Sequence, residues 1–410
     1  LEQLDEANLF VVALDGERRW YRYHHLFADL LRQELRKVEP EKIKEVHRRA
    51  SRWYEGAGYI AEAVTHALAA GDLARVALLI EGHALAMLEQ GRLATFTGWL
   101  DALPESIART RPWLCVAHAW ALVYTGHLDA LGPRLRDAEE LLGSVSDGAE
   151  QRRISGQLAA IRAYRLALRG EPEAAITQAK QALRQLPEED LTARGSAALT
   201  LGSACRDTGD LSMAAEAFAQ ASVTARDAGN SHLAVLAILS LARLQMEQGQ
   251  LRRAAATCEE VNHLAARQTA GGGEQSPGMG MAYACQSALL REWNRLEEAL
   301  GLAQKSVALG ERWGQANLLI NSYGNLALVQ GSCGDLDGAL ETIARVKQIA
   351  RDLSPYAAAH ADALEAQLWL ARGDNAAAFS WAQDSGLGFD DQIRPQYEGQ
   401  YLTLARALGA

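Results

Sequence analysis

Apolar positions in residues 191–208, and again in 211–228, recur every three or four residues. That spacing gives a helix one apolar face. The polar gap between the two stretches reads Gly209-Asp210-Leu211, and the same phrase of a glycine, a polar residue and a leucine returns along the chain. Copies stand at Gly126-His127-Leu128, Gly249-Gln250-Leu251 and Gly334-Asp335-Leu336. Weaker ones stand at Gly170-Glu171-Pro172 and Gly373-Asp374-Asn375, and Trp293-Asn294-Arg295-Leu296 fills the slot without a glycine. From 126 to 373 the steps run from 39 to 44 residues, about 41 on average. Each phrase predicts a turn between two helices. The glycine ends the first helix in the left-handed conformation, and the following Asp or its equivalent caps the second.

The packing positions repeat with the turns. Offsets of 12, 16 and 19 residues from Gly202 give Ala214, Phe218 and Ala221. The same offsets give Ala339, Ile343 and Val346 from Ala327, and Ala254, Cys258 and Val261 from Ala242. From Ala163 they give Ala175, Ala179 and Ala182. Small residues let helix backbones approach, and the larger one fills the groove between neighbours. This resembles the tetratricopeptide pattern, stretched beyond that family's usual period of about 34. The fold predicted is an all-α, tetratricopeptide-like solenoid of helix pairs, whose neighbours share one continuous core. The next turn would fall at about 412, just past the last residue, so 400–410 predicts the first helix of a repeat cut short. Residues 268–280 (QTAGGGEQSPGMG) interrupt the pattern. Three glycines and a proline do not hold a helix, so a connector between repeats is expected there.

The first forty residues read differently. Residues 8–14 (NLFVVAL) and 19–24 (RWYRYH) are β-rich and joined by Asp15-Gly16-Glu17, a strong hairpin signal. A helix from about His25 to Val38 follows. Helix, hairpin, helix is the tail of a winged-helix domain. The boundaries expected are 1–38 for that tail, 39–110 for a helical arm, and 111–410 for the repeats.

Composition narrows the function. The formal net charge of -10 argues against nucleic acid as the main ligand of this segment. The five cysteines are odd in number and widely spaced, with no CxxC or Cys/His cluster. They predict buried helix residues rather than a zinc site or disulfide framework, which fits a reducing, cytoplasmic setting. No apolar run is long enough to span a membrane. GxSxG, HExxH and the phosphate-binding GxxxxGK[ST] are all absent, so the chain reads as a binding module and not an enzyme. It begins at Leu1 rather than Met, as a fragment of a longer protein would.

A resemblance sharpens this. The opening LEQLDEANLFVVALDGERRWYRYHHLFADLLRQEL, and above all YHHLF at 23–27, resembles the end of the winged-helix domain of MalT-like transcriptional activators, the large ATP-binding members of the LuxR family. VHRRA at 46–50 through IAEA at 60–63 resembles the helical arm that follows there, and residues 290–299 and 401–406 resemble phrases of that family's repeat region. The resemblance implies an upstream ATP/ADP-binding switch domain and a terminal helix-turn-helix that binds DNA, neither of which this chain contains. No cofactor is expected in the chain itself. By the same resemblance, a small-molecule inducer or a regulatory protein would bind the repeats and control self-association of the full-length protein. His24 resembles the histidine of a Met-His-Asp motif that contacts the ADP phosphate in related switch ATPases, although His25 stands where that motif has Asp. An ordinary histidine of the hairpin–helix junction is the other reading of His24.

For a ligand site within the repeats, the first helix of each pair is the place to look, because first helices line the concave face of a tetratricopeptide superhelix. Asn317, Asn321 and Asn325 fall at i, i+4 and i+8 of one such helix. Asparagine is a poor interior helix residue, and amide side chains suit a hydroxyl-rich ligand or a peptide backbone. Tyr283, Gln286, Trp313, Tyr356 and His360 are expected on neighbouring first helices or their ends, whereas Trp293 and Trp369 read as core or turn packing. A scaffold that binds a peptide or partner protein with no inducer is the alternative function.

Overall fold

A computed structural model describes residues 10–13, 21–89, 93–125, 127, 130–270, 277–314, 316–353, 355–388 and 397–409. The described chain is helical apart from one two-stranded sheet, and it divides into two compact units, residues 1–144 and 145–410. The first unit opens with β1 (Val11–Ala13) and β2 (Tyr21–Tyr23), paired antiparallel with Val12 opposite Arg22. The Asp15-Gly16-Glu17 turn expected between them lies outside the described residues. Then come α1 (His25–Val38), α2 (Pro40–Gly56), α3 (Ile60–Ala69), α4 (Leu73–Glu89), α5 (Leu93–Asp101), α6 (Glu105–Ala108), α7 (Pro112–Thr125) and α8 (Leu131–Leu142). The unit boundary at 144 differs from the 110/111 division drawn from the sequence pattern, because α7 and α8 cluster with the helices before them.

Within this unit, α3 and α4 join through Gly71-Asp72-Leu73, a further copy of the repeated phrase. Gly71 takes φ 69°, its N–H donates to the Leu68 carbonyl at 2.9 Å, and Asp72 N–H reaches the Ala67 carbonyl at 3.0 Å. The Asp72 carboxylate accepts from Arg75 N–H at 3.2 Å. Val64, Val76 and Ile80, at offsets of 12 and 16 residues, are fully buried. The turn phrase and its packing thus begin well before the regular array.

The second unit is that array. It runs α9 (Gly148–Leu168), α10 (Pro172–Gln185), α11 (Leu191–Asp207), α12 (Leu211–Asp227), α13 (Ser231–Glu247), α14 (Leu251–Ala270) and α15 (Pro277–Glu292). It continues α16 (Leu296–Trp313), α17 (Ala316–Ser332), α18 (Leu336–Leu353), α19 (Pro355–Arg372), α20 (Asn375–Asp384) and α21 (Glu398–Gly409). Odd-numbered helices are first helices of pairs and even-numbered ones are second helices. The connector is shorter than expected: α14 runs through Ala270 and α15 starts at Pro277. Proline suits that first helical position, where its missing N–H leaves nothing unpaired. The glycine run 271–273 lies outside the described residues.

The turns are built as the phrase predicts. Gly209 has φ 84°, its N–H donates to Arg206 O at 3.0 Å, and Asp210 N–H donates to Cys205 O at 2.9 Å. This is the paired closure of a Schellman cap. Asp210 then accepts from Met213 N–H at 3.1 Å and starts α12. In the slot without glycine, Asn294 itself adopts φ 58° and closes the same pair of bonds. The offset positions pack as expected: Ala214, Phe218 and Ala221 are fully buried, and so are Ala339, Ile343, Ala254 and Val261. Polar struts repeat beside them. Thr257 Oγ1 donates to Gln245 Oε1 at 2.9 Å and Thr342 Oγ1 to Gln330 Oε1 at 2.8 Å, each 12 residues apart within one pair.

Contacts between pairs decide which side is concave. First helices touch in succession, α9 with α11, α11 with α13, α13 with α15, and onward to α19 with α21, while successive second helices are not among the closely packed pairs. The layer whose members touch is the inside of the curve, so the first helices form the inner wall of this unit.

Candidate functional site on the inner helices

Most of the polar side chains singled out in the repeats lie on first helices of the inner wall. On α17, Asn321 is exposed, whereas Asn325 is half-buried and its Nδ2 is enclosed without a hydrogen-bond partner among the described residues. The stripe is therefore split between surface and interior. The side chains of Asn317, Trp313 and Tyr356 lie outside the described residues. Trp313 is the last residue of α16, a second helix, and so is not on the inner wall, while Tyr356 lies in the first turn of α19. Tyr283 and Gln286 sit half-buried on α15, and Gln286 Nε2 donates to Asn262 Oδ1 on α14 at 3.1 Å. His360 is half-buried on α19. In the first unit, His24 is exposed at the start of α1 with its ring 4.3 Å from that of His25, and its N–H donates to Phe10 O at 2.6 Å.

One residue that the sequence pattern did not single out lies among the titratable groups of these helices. Arg243 projects from α13, and its charge reaches three other first helices. It adds to the burial that holds His360 of α19 below the usual histidine range. It helps to lower Cys285 of α15, and it works against the burial that pushes Asp207 of α11 up. Arg243 Nε donates to Glu247 Oε1 at 3.2 Å, and Arg206 Nη2 donates to Asp207 Oδ1 at 3.3 Å. Burial also leads the lowering of His232 at the start of α13, although its surface is exposed. Water reaches the ring on one side while protein surrounds it on the others. That combination belongs to a concave wall. Toward α9 the wall holds half-buried Tyr164, pushed up by burial, and Arg162, pushed down by burial and by neighbouring Arg165.

Chemically, the groove offers a neutral imidazole near neutral pH, a guanidinium with adjacent carboxylates, and carboxamides. Such groups can donate and accept hydrogen bonds and pair with charge. Among the described residues, no group of three or more His, Cys, Asp and Glu side chains could hold a metal ion, and no helix is long and apolar enough to cross a membrane. The sequence signal for Arg243 is its place: it directly follows Ala242, a small packing position that ends the mostly apolar run LAILSLA of α13. The cysteines are less uniform than expected. Cys115, Cys205 and Cys258 are buried, but Cys285 is half-buried and Cys333 is exposed, because it falls in the turn region after α17.

A family model for the MalT-like tetratricopeptide region matches residues 156–408, and one for the MalT winged-helix domain matches residues 1–43. The HTH-type transcriptional regulator MalT of Yersinia enterocolitica is 28% identical over 99% of this chain and 44% of its own length. The chain thus spans less than half the length of the curated relatives it matches. Two solved structures share the fold. One is a signal transduction ATPase with numerous domains and a tetratricopeptide repeat sensor from Pyrococcus horikoshii, with TM-score 0.58, 15% identity, and coverage of 95% of this chain and 56% of that one. The other is a Rap protein complexed with competence and sporulation factor, with TM-score 0.57, 11% identity, and coverage of 82% and 97%. Since the repeat match extends over well over half of the residues, the chain belongs to the MalT-like family of transcriptional regulators, as their repeat region together with the end of the winged-helix domain.

Proposed function

We propose that the second unit is the signal-sensing domain of an ATP-dependent, cytoplasmic transcription activator, and that it binds a small polar inducer in the groove between α13 and α19. The observation that carries this reading is the unbroken row of first helices along the inner wall, on which the Arg243 charge adds to the burial that lowers His360. The similarity to an HTH-type transcriptional regulator supports a regulatory role. In the full-length protein, the inducer would favour the self-associated, ATP-bound state, because a ligand shifts an equilibrium only by binding one state better than the other. DNA contact belongs to a helix-turn-helix outside this chain, and ATP or ADP to an upstream switch domain. His24 is the residue here with a role toward that nucleotide. It is exposed at the N-terminus of α1, whose free N–H groups no side chain caps, and imidazole and helix N–H donors both suit a phosphate.

The test is a thermal-shift screen of polar metabolites on the whole chain. A true ligand at a hundred times its dissociation constant adds about 2.7 kcal/mol of stability. Arg243→Ala and His360→Ala are expected to abolish that shift while leaving the unliganded transition in place. A hit that stabilises both variants as well as the parent would remove the groove from the case.

A further inference from the structure

At the junction of α14 and α15, two thiols face each other. Cys258 Sγ and Cys285 Sγ lie 3.3 Å apart, with Cys258 at 1% exposure and Cys285 half-buried. In register, Cys258 stands sixteen after Ala242, and Cys285 stands two before the fully buried Ser287, which takes the place of Ala242 in the next repeat. Phe218 and Ser240 hold these slots one repeat earlier, and Ala303 and Asn325 one repeat later. A disulfide needs its sulfurs at about 2.05 Å, so the pair must close by roughly 1.3 Å, which side-chain rotation of two thiols already in contact can supply. Their surroundings divide the labour. The hydrogen bond between the two thiols, with the Arg243 charge nearby, holds Cys285 below the usual thiol range against the opposing effect of burial. Cys258 is pushed up by that same bond and by burial. Low-pKa, partly accessible cysteines beside a second thiol are the ones that oxidise reversibly.

We infer that Cys285 and Cys258 form a reversible, peroxide-responsive disulfide that staples α14 to α15. The Cys285 thiolate attacks one oxygen of hydrogen peroxide. An S–O bond forms, the O–O bond breaks, and the departing hydroxide takes up the proton that Cys285 has released, giving water. Cys258 sulfur then attacks the sulfenic sulfur. The S–S bond forms, the S–O bond breaks, and the hydroxyl leaves with the Cys258 proton as a second water. Each sulfur gives up one electron and peroxide accepts both. A small dithiol reverses the step by exchange. The staple links α14 to α15 and fixes two neighbouring repeats in register.

The experiment uses the whole chain, fully reduced, then treated with a few equivalents of hydrogen peroxide and alkylated. Two of the five thiols are expected to escape alkylation. Trypsin is expected to release residues 254–267 joined to residues 268–291, a link that dithiothreitol breaks. Cys258→Ser is expected to stop at a Cys285 sulfenic acid that dimedone traps, and Cys285→Ser to leave Cys258 a free thiol, with circular dichroism confirming that both variants fold. Peptide mapping of the unaltered chain stands by itself should either variant unfold. Five alkylatable thiols after treatment, a crosslink through any other cysteine, or dimedone on Cys258 of Cys285→Ser overturns the inference.

Discussion

Gly202 and Phe218 meet inside one helix pair, and their contact sets the sign of a substitution. A methyl group on Gly202 would stand 2.5 Å from Phe218 Cδ1 and 2.6 Å from Cε1. The ring has little room to retreat: Phe218 is 0% exposed and packed among Ala163, Leu201, Cys205, Ala214 and Leu244. Overpacking of this kind costs about 1–3 kcal/mol. Against it, alanine in the interior of α11 is favoured over glycine by about 1 kcal/mol. Gly202→Ala should therefore destabilise by about 1 kcal/mol net. Phe218→Ala should cost about 3–5 kcal/mol through the cavity it leaves. In that background the new methyl enters vacated space, and only the helix gain remains. Gly202→Ala should then stabilise by about 1 kcal/mol, so the double-mutant coupling is about 2 kcal/mol. Guanidinium unfolding followed by circular dichroism supplies the four stabilities. A nearest-neighbour fit is needed where the array departs from two-state behaviour. The same sign of effect in both backgrounds would refute the idea that a small residue facing a large one holds each pair together.

Three further outcomes are expected. Asn294→Gly should stabilise by about 0.5 kcal/mol, because Asn294 holds φ 58° where glycine is unstrained; an unchanged denaturation midpoint would contradict this. Asp190→Ala should cost about 2 kcal/mol, since it strands Arg153, which contacts the carboxylate at 2.5 and 2.8 Å, and Gln157 at 3.2 Å. The figure is discounted because the Arg153 side chain is 41% exposed, and Asp190→Asn should recover part of it. Finally, burial is the leading cause that holds His66, His118, His232 and His360 below their ordinary value. The unfolded chain therefore binds more protons in the window just under a pKa of about 6.5. Stability is complete above that window and falls as the pH drops through it toward the lower folded values. Asp207, pushed up by burial, has the opposite linkage but is a single group. Midpoints that rise between about pH 7 and pH 5 would count against this.

The helix pairs were legible because the turn phrase and the offsets of 12, 16 and 19 residues are local chemistry repeated many times. A glycine that must adopt positive φ and an aspartate that caps the next helix announce themselves in any copy. The copy at Gly71-Asp72-Leu73 carries the same chemistry, yet it stands about 55 residues before the next anchor and so falls out of the period. Composition misled at 268–280, where the expected connector extended into Pro277 and Gly280. The glycines dominate the segment's composition, but a helix begins at the proline, whose ring is preset for a first helical turn. Trp293, read as core or turn packing, lies in the turn before Asn294 and is 39% exposed.

The groove was harder to read, for a geometric reason. Four residues turn a helix by about 400°, so each i+4 step drifts by about 40°. Two such steps move from Asn317 to Asn325 by about 80°, enough to take the stripe from the surface at Asn321 into the interior at Asn325. The arrangement along the inner wall depends on something no single helix encodes. Arg243 and His360 are 117 residues apart and feel each other only because small rotations accumulate from α13 to α19. A slight change in the rotation between pairs would separate them without breaking a contact inside either helix. A ligand held by both residues would therefore bind one curvature of the array better than another. By linkage it would favour that curvature, and a stack of near-identical pairs could in this way turn occupancy of a small site into a change along its whole length.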